Sequence, residues 1–160
     1  MNVFLASDHA GYGLKERVKK LLLSQGVDAI DCGAFSTEPC DYPDYVIPAC
    51  EAVAANNARG IVFGGSGIGE CIAANKVKGI RAALAYDVYT ARVTREHNDS
   101  NVLCLGGRTV TRNFKLTKRI VLAWLKTPFS RASRHKRRIR KISDYERKAK
   151  PTRRKIRQRT

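Results

Sequence analysis

The sequence predicts an α/β domain built on a parallel sheet, and three observations carry that prediction. Five short apolar runs, at residues 3–7, 27–31, 60–63, 80–85 and 102–105, alternate with stretches whose apolar residues recur at helical spacing. The connections are short, and several carry glycine. Every cluster of polar residues with chemical potential, except His97-Asn98, follows one of the apolar runs. Such alternation makes the strands parallel, with helices on both faces. Right-handed crossovers then give a Rossmann-like, doubly wound, five-stranded sheet in three α/β/α layers, extended at its end by a basic helix and tail.

The first strand is VFLAS at 3–7, followed by a helix on which Leu14, Val18, Leu21 and Leu22 recur among lysines. Asp8-His9-Ala10-Gly11 lies between them, at the carboxyl end of a strand, where ligands bind in open α/β sheets. Position alone leaves a second reading open, in which Asp8 caps the helix and His9 fills a turn. Val27 to Asp31 is the second strand, and the loop after it carries Cys32-Gly33 and Asp41-Tyr42-Pro43. Tyr45, Val46, Ala49, Cys50 and Val53 mark the second helix, with Pro48 expected near its start. Residues 60–63 are the third strand, and the helix after the glycine loop runs to about Lys76. Ile80 to Ala85 has the near-continuous apolar character of a strand buried on both faces. A helix from about Val88 to His97 leads into the fifth strand, 102–105. Gly106-Gly107-Arg108 then turns the chain into a helix with Leu116, Ile120, Val121, Trp124 and Leu125 on its apolar side.

The central stretch is GGSGIGECIAANK at 64–76. Glycine lets the backbone approach a ligand closely, and the first N–H groups of the following helix have no partner inside it, so the loop suits an anion. No Gly-Lys-Ser/Thr closes it as in a P-loop, and glycines at 64, 65, 67 and 69 fit the dinucleotide fingerprint poorly. Glu70 sets it apart, because a loop serving only a dinucleotide has no use for a carboxylate. Taken alone, the stretch reads equally as a tight turn or a site, Ser66 as a turn serine or a hydroxyl donor, and Glu70 as a helix-start carboxylate or a base. Cys71 is turned about 100° from Glu70 on the helix and is read as a buried, inert thiol.

At 160 residues there is room for one domain with a full core. Five scattered cysteines without a CxxC pair indicate neither a disulfide framework nor a zinc site, and a reducing cytoplasm fits them. No run approaches the roughly 18 apolar residues of a membrane span, and MNVFLASDH lacks signal-peptide regions, so a soluble, unexported protein is expected. The net charge of +17 is concentrated, since residues 131–160 hold 15 Lys/Arg against 2 Asp/Glu and the rest hold 16 against 12. The expected organisation is therefore a core over 1–130, a basic helix over 131–148 and a disordered basic tail over 149–160.

Six blocks in order, SDHAG (7–11), DYP (41–43), GGSGIGECIAANK (64–76), REHND (95–99), GGR (106–108) and RHKRR (134–138), make the chain resemble the type B ribose-5-phosphate isomerases. That family's wider membership includes galactose-6-phosphate and allose-6-phosphate isomerases. The resemblance spans Val3 to about Tyr145. It implies an aldose–ketose isomerase of the pentose phosphate pathway that needs neither metal nor organic cofactor, working as a homodimer or dimer of dimers with sites at the subunit interface. It makes Asp8, His9, Tyr42 and Asn98 sugar ligands, with Asp8 near the ring oxygen. The loop Gly65, Ser66, Gly67, Ile68 and Gly69 receives the enediolate. His97 opens the ring, and Arg108, Arg134 and Arg138 hold the phosphate, the last two on a basic helix docked against a partner subunit. Many members carry a cysteine base where this chain has Gly65, so the resemblance assigns the base to Glu70, as in the glutamate branch.

That assignment agrees with what the chemistry requires. Moving a carbonyl between C1 and C2 needs a base that carries a proton between the carbons, and a carboxylate of tuned pKa can do so. Preorganised N–H donors must meet the negative charge on oxygen, and a histidine titrating near neutrality suits ring opening. Two alternatives stand beside this reading: a six-carbon sugar phosphate as substrate, and nucleic-acid binding through the basic tail, for which dense Lys/Arg suffices.

Overall fold

The computed structural model describes residues 2–109 and 113–148. Their order is β1 (Asn2–Ser7), α1 (Tyr12–Ser24), β2 (Asp28–Asp31), α2 (Pro43–Ala55), β3 (Arg59–Gly64), α3 (Ile68–Ala74), β4 (Ala82–Leu84), α4 (Val88–Asn98), β5 (Val102–Gly106), α5 (Phe114–Lys126) and α6 (Ser133–Lys148). The chain divides into two compact units, Met1–Ser130 and Arg131–Thr160. The tail expected to be disordered, 149–160, lies outside the described residues.

In the first unit all strand pairs are parallel, in the order β2-β1-β3-β5-β4. The sheet separates two apolar layers. On one side Leu14, Val18 and Leu22 of α1, Ala91 of α4, and Ile120, Val121 and Trp124 of α5 pack on Val3, Leu5, Ile61, Phe63, Leu103 and Leu105. On the other, Val46, Ala49, Cys50 and Val53 of α2 and Ala73 and Ala74 of α3 pack on Ala6, Val62, Val102 and Cys104. Alternate residues of β1, β3 and β5 therefore enter opposite layers, as the period of two requires, and both faces are covered. Trp124 is fully buried, and its indole N–H donates to Ser100 Oγ at 2.8 Å, which removes the cost of an unpaired donor.

Two expectations need correction. The apolar run 80–85 forms only a three-residue strand whose residues are half-buried. β4 is an edge strand that pairs with β5 alone, so its apolar character reflects the helices packed nearby and not burial within the sheet. Pro48 is inside α2 and not near its start, because Pro43 occupies the first turn of that helix. Proline suits that position, where the N–H has no partner anyway.

Inside the loop after β2, the fully buried Lys15 amine donates to Asp31 Oδ1 and to the Ala34 carbonyl at 2.8 Å. Lys19 donates to Asp31 Oδ2 at 2.8 Å. These bonds tie α1 to the chain that leads towards Tyr42.

The second unit is a basic helix. Eight Lys/Arg of α6 stand against Asp144 and Glu146, and Arg134 Nε donates to His135 Nε2 at 3.1 Å.

Candidate active site

β1 and β3 are neighbours, yet β1 feeds α1 on one face of the sheet and β3 feeds α3 on the other. Their carboxyl ends therefore part at a topological switch point, which leaves a crevice. A cavity of about 390 Å³ opens there, lined by Asp8, Tyr42, Gly65, Ser66, Gly69, Glu70 and Arg108, together with Thr109. Seven residues singled out from the sequence, spread from position 8 to position 108, share this one cavity. Thr109 was missed. Its only signal is that it follows the GGR turn, and its hydroxyl donates to the Gly106 carbonyl at 3.3 Å.

Glu70 is 3% exposed, in the first turn of α3. Its carboxylate lies directly over Gly64, so closely that a Cβ on that residue would fall 1.9 Å from Oε1. Burial pushes the Glu70 pKa up, its own backbone N–H pulls it down, and the charge of Asp8 adds to the rise; the net direction is upward. The glycines beside it are shaped by close approach. Gly67 has φ +80, a left-handed conformation that opens α3, and a Cβ there would lie 2.8 Å from Leu84 and 2.9 Å from the Leu105 backbone. The first bond of α3 runs from Cys71 N–H to the Gly67 carbonyl at 3.1 Å. The N–H of Ile68 is given to Ser66 Oγ at 3.2 Å, so the turn role of Ser66 is real although the residue also lines the cavity. The remaining loop donors are those of Gly67 and Gly69.

Around this cradle the other groups are fixed from different elements. Asp8 Oδ1 accepts the Gly11 N–H at 2.7 Å, so Asp8 caps the first turn of α1 and presents its second oxygen at the cavity. His9 Nδ1 accepts the Cys40 N–H at 3.3 Å, which leaves Nε2 to carry the proton of the neutral ring. Tyr42 precedes α2, and its ring lies against Gly69, where a Cβ would be 2.9 Å from Cζ. Arg108 donates its backbone N–H to the Gly65 carbonyl at 2.8 Å, and its exposed side chain passes over Gly65. A Cβ at Gly65 would meet only ordinary contacts, at 3.6 Å from Ala10 and Arg108, so that position has room for a side chain.

His97 and Asn98 are not with these groups. α4 runs antiparallel to the strands, so its last turn lies at the amino ends of β4 and β5. There Arg81 Nε donates to the Asn98 carbonyl at 3.0 Å, and Arg95 Nη1 to the Ser100 carbonyl at 2.6 Å. Strands of this length put roughly 15 Å between the two edges. A hollow of about 340 Å³ at that amino edge, among Arg59, Lys78, Arg81, Arg95 and Asp99, has its arginines committed to carbonyls and to Asp99. It offers no base beside N–H donors. Arg134 and Arg138 stand one turn apart on α6, in the second unit.

Cys71 turns away from the cavity as its spacing requires, but it is not the buried inert thiol expected. It is half-buried, and a hydrogen bond with the Cys104 thiol outweighs partial burial and holds its pKa down at about 7. All five cysteines are free thiols.

A doubly wound α/β domain with a buried carboxylate beside a glycine cradle at its switch point defines a protein suited to general acid–base chemistry on a small anionic ligand. The chain belongs to the Ribose/Galactose Isomerase family, which matches residues 3–142. It is 50% identical over 149 residues to the ribose-5-phosphate isomerase B of Mycobacterium leprae, covering 92% of this chain and 91% of that one. Its structure is similar to that of Clostridium thermocellum ribose-5-phosphate isomerase B, with a TM-score of 0.88, 45% identity, and coverage of 92% of this chain and 99% of that chain. The same holds for Mycoplasma genitalium ribose-5-phosphate isomerase B with bound ribulose-5-phosphate, at a TM-score of 0.87, 40% identity, and 92% and 97% coverage.

Proposed function

We propose that this protein is an aldose–ketose isomerase that interconverts ribose 5-phosphate and ribulose 5-phosphate through an enediolate. One observation carries the reading: the Glu70 carboxylate is buried over Gly64, at the mouth of a glycine loop, with its pKa raised towards the working range of a base. With the open-chain aldose bound, Glu70 takes the proton from C2. Electrons move towards the C1 carbonyl, and the oxyanion is met by the N–H groups of Gly67 and Gly69, where one such donor is worth about 10²–10³ in rate. The protonated Glu70 returns its proton to C1, while a proton passes between the two oxygens, and the ketose results.

The second oxygen of Asp8 and the Nε2 of His9 serve as sugar ligands, Tyr42 closes one wall, and Arg108 takes part of the phosphate charge. Ring opening falls to His97. Because His97 and Asn98 occupy the opposite edge of their own sheet, they reach a cavity only from a second copy of the chain. The active species is therefore a dimer with composite sites. Arg134 and Arg138 complete the phosphate ligands on the same basis, by bidentate, charge-assisted bonds. Five free thiols suit a reducing cytoplasm, and among the described residues no helix is long and apolar enough to cross a membrane.

The test is proton exchange in heavy water with ribose 5-phosphate. The native protein is expected to wash the C2 proton into solvent, and Glu70→Gln to stop the exchange while phosphate still binds. Full exchange in that variant would remove Glu70 from the mechanism. Comparing ribose 5-phosphate with allose 6-phosphate and galactose 6-phosphate in the same assay fixes the sugar length.

A further inference from the structure

Cys71 follows Glu70 directly, on the side of α3 that faces the sheet. Its thiol donates to the Ala82 carbonyl at 3.6 Å, lies 3.7 Å from Asn75 Nδ2, and is approached by the Leu84 N–H. Leu84 is the register partner of Cys104 across β4 and β5. Cys71 Sγ therefore sits over the rung of the ladder that Cys104 occupies, and the two thiols are hydrogen-bonded to each other. The two thiols differ in environment. Cys104 is completely buried, and burial holds its pKa well above the usual thiol range. Cys71 is half-buried, and at about 7 its pKa gives a substantial thiolate fraction at neutral pH. Cys50, also in this layer, is pushed by burial to about 12. One accessible nucleophilic sulfur thus touches one sequestered partner, immediately behind the proposed base.

We propose that Cys71 and Cys104 form an oxidisable pair whose disulfide disables the Glu70 site. A peroxide supplies the oxidant. The Cys71 thiolate attacks one peroxide oxygen, the O–O bond breaks, and sulfur is oxidised by two electrons to a sulfenic acid with release of hydroxide. The Cys104 sulfur then attacks the sulfenic sulfur, its proton leaves with the hydroxyl as water, and the S–S bond closes. A disulfide brings the sulfurs to about 2.05 Å, closer than hydrogen-bonded thiols, so α3 is drawn towards β5. Glu70 rides on this seven-residue helix and is already in contact with Gly64. A displacement of about 1 Å at a reacting group costs on the order of 10²-fold in rate. The loss of activity rests on the isomerase reading, whereas formation of the bond does not.

The experiment treats the full chain with hydrogen peroxide and follows mass, peptide map and isomerase rate. The expected product is about 2 Da lighter, carries a Cys71–Cys104 linked peptide, is at least about tenfold slower, and recovers with dithiothreitol. Cys71→Ser is expected to keep its rate through the same treatment. Cys104→Ser is expected to stop at a dimedone-reactive sulfenic acid on Cys71, and Cys104→Ala supplies that arm if a buried serine prevents folding. Absence of the linked peptide, a link through Cys50 instead, or linked protein that turns over at the untreated rate would overturn the proposal. Reduced protein that forms the link but never isomerises ribose 5-phosphate would instead refute the isomerase reading, and with it the switching role.

Discussion

Glu70 and Gly64 are six residues apart in sequence and touch in space, and the second sets what the first can do. The carboxylate occupies the volume that any side chain at Gly64 would need. Gly64→Ala is therefore expected to push Glu70 off its position and lower kcat by about 10²-fold, with circular dichroism unchanged; a rate near native would show that the carboxylate has slack. Glu70→Gln removes the base itself and is expected to cost about 10²–10⁴ in kcat, read by isomerisation of ribose 5-phosphate. The raised pKa of Glu70 has a definite sign for both activity and stability. The base works only when ionised, so the rate is expected to fall as pH drops, with a midpoint above the ~4.3 of a free glutamate. For stability, ionisation is penalised more in the folded chain than in the unfolded one, so this group destabilises the fold above its folded pKa and not below its unfolded one.

At the scale of elements, the β1–α1–β2 unit is held by ions. Lys15, completely buried, lies between Asp31, the Ala34 carbonyl and the rings of Tyr12 and Phe35, both between 5.3 and 5.4 Å from the amine. Burial alone would raise the Asp31 pKa, but hydrogen bonds from Lys15, Lys19 and the Gly33 N–H hold it below the usual carboxylate range. That depressed value contributes stability that is present above the unfolded pKa, near 3.8, and is lost as pH falls through the folded one. Asp31→Asn leaves the Lys15 charge without its partner and is expected to cost about 3 kcal/mol at pH 7. The gap between variant and native is expected to narrow towards pH 3 in thermal melts, and a gap independent of pH would show that the ion pair is not its source. The sequence placed an amphipathic α1 correctly through Leu14, Val18, Leu21 and Leu22 but gave no sign that Lys15, one position on, is buried. Its partner Asp31 is 16 residues away, and a lysine between apolar residues reads as solvated until the strand beside it is in place. β4 shows the converse: its composition suggested a central strand, and only the pairing order put it at the edge.

For the whole molecule, the decisive fact is the distance between the Glu70 cavity and the His97 turn at the other end of the sheet. If each site combines the cavity of one chain with His97 of another, two inactive variants should complement. Glu70→Gln and His97→Asn, refolded together in equal amounts, are expected to recover about one quarter of native activity, because half the dimers are mixed and each mixed dimer keeps one intact site of two. Activity no greater than that of the separate variants would place base and histidine in the same chain. Arg134→Ala is expected to raise KM for the sugar phosphate far more than it lowers kcat, since phosphate holds the substrate without taking part in proton transfer. An unchanged KM would separate α6 from the site.

The sequence by itself determined the order of the elements, the layering of the sheet and the loops that bear its chemistry, because hydrophobic periodicity and glycine punctuation are local and α/β alternation permits few arrangements. It also put Glu70 in the first turn of a helix behind a glycine loop. Tertiary structure alone decided that Glu70 is buried over Gly64 with its pKa raised, that Cys71 meets Cys104, that Lys15 is neutralised by Asp31, and that His97 lies at the far edge. Each of these depends on two segments brought together by folding. The solvation of a charge, and the reach of a side chain, are set by neighbours that no local pattern specifies.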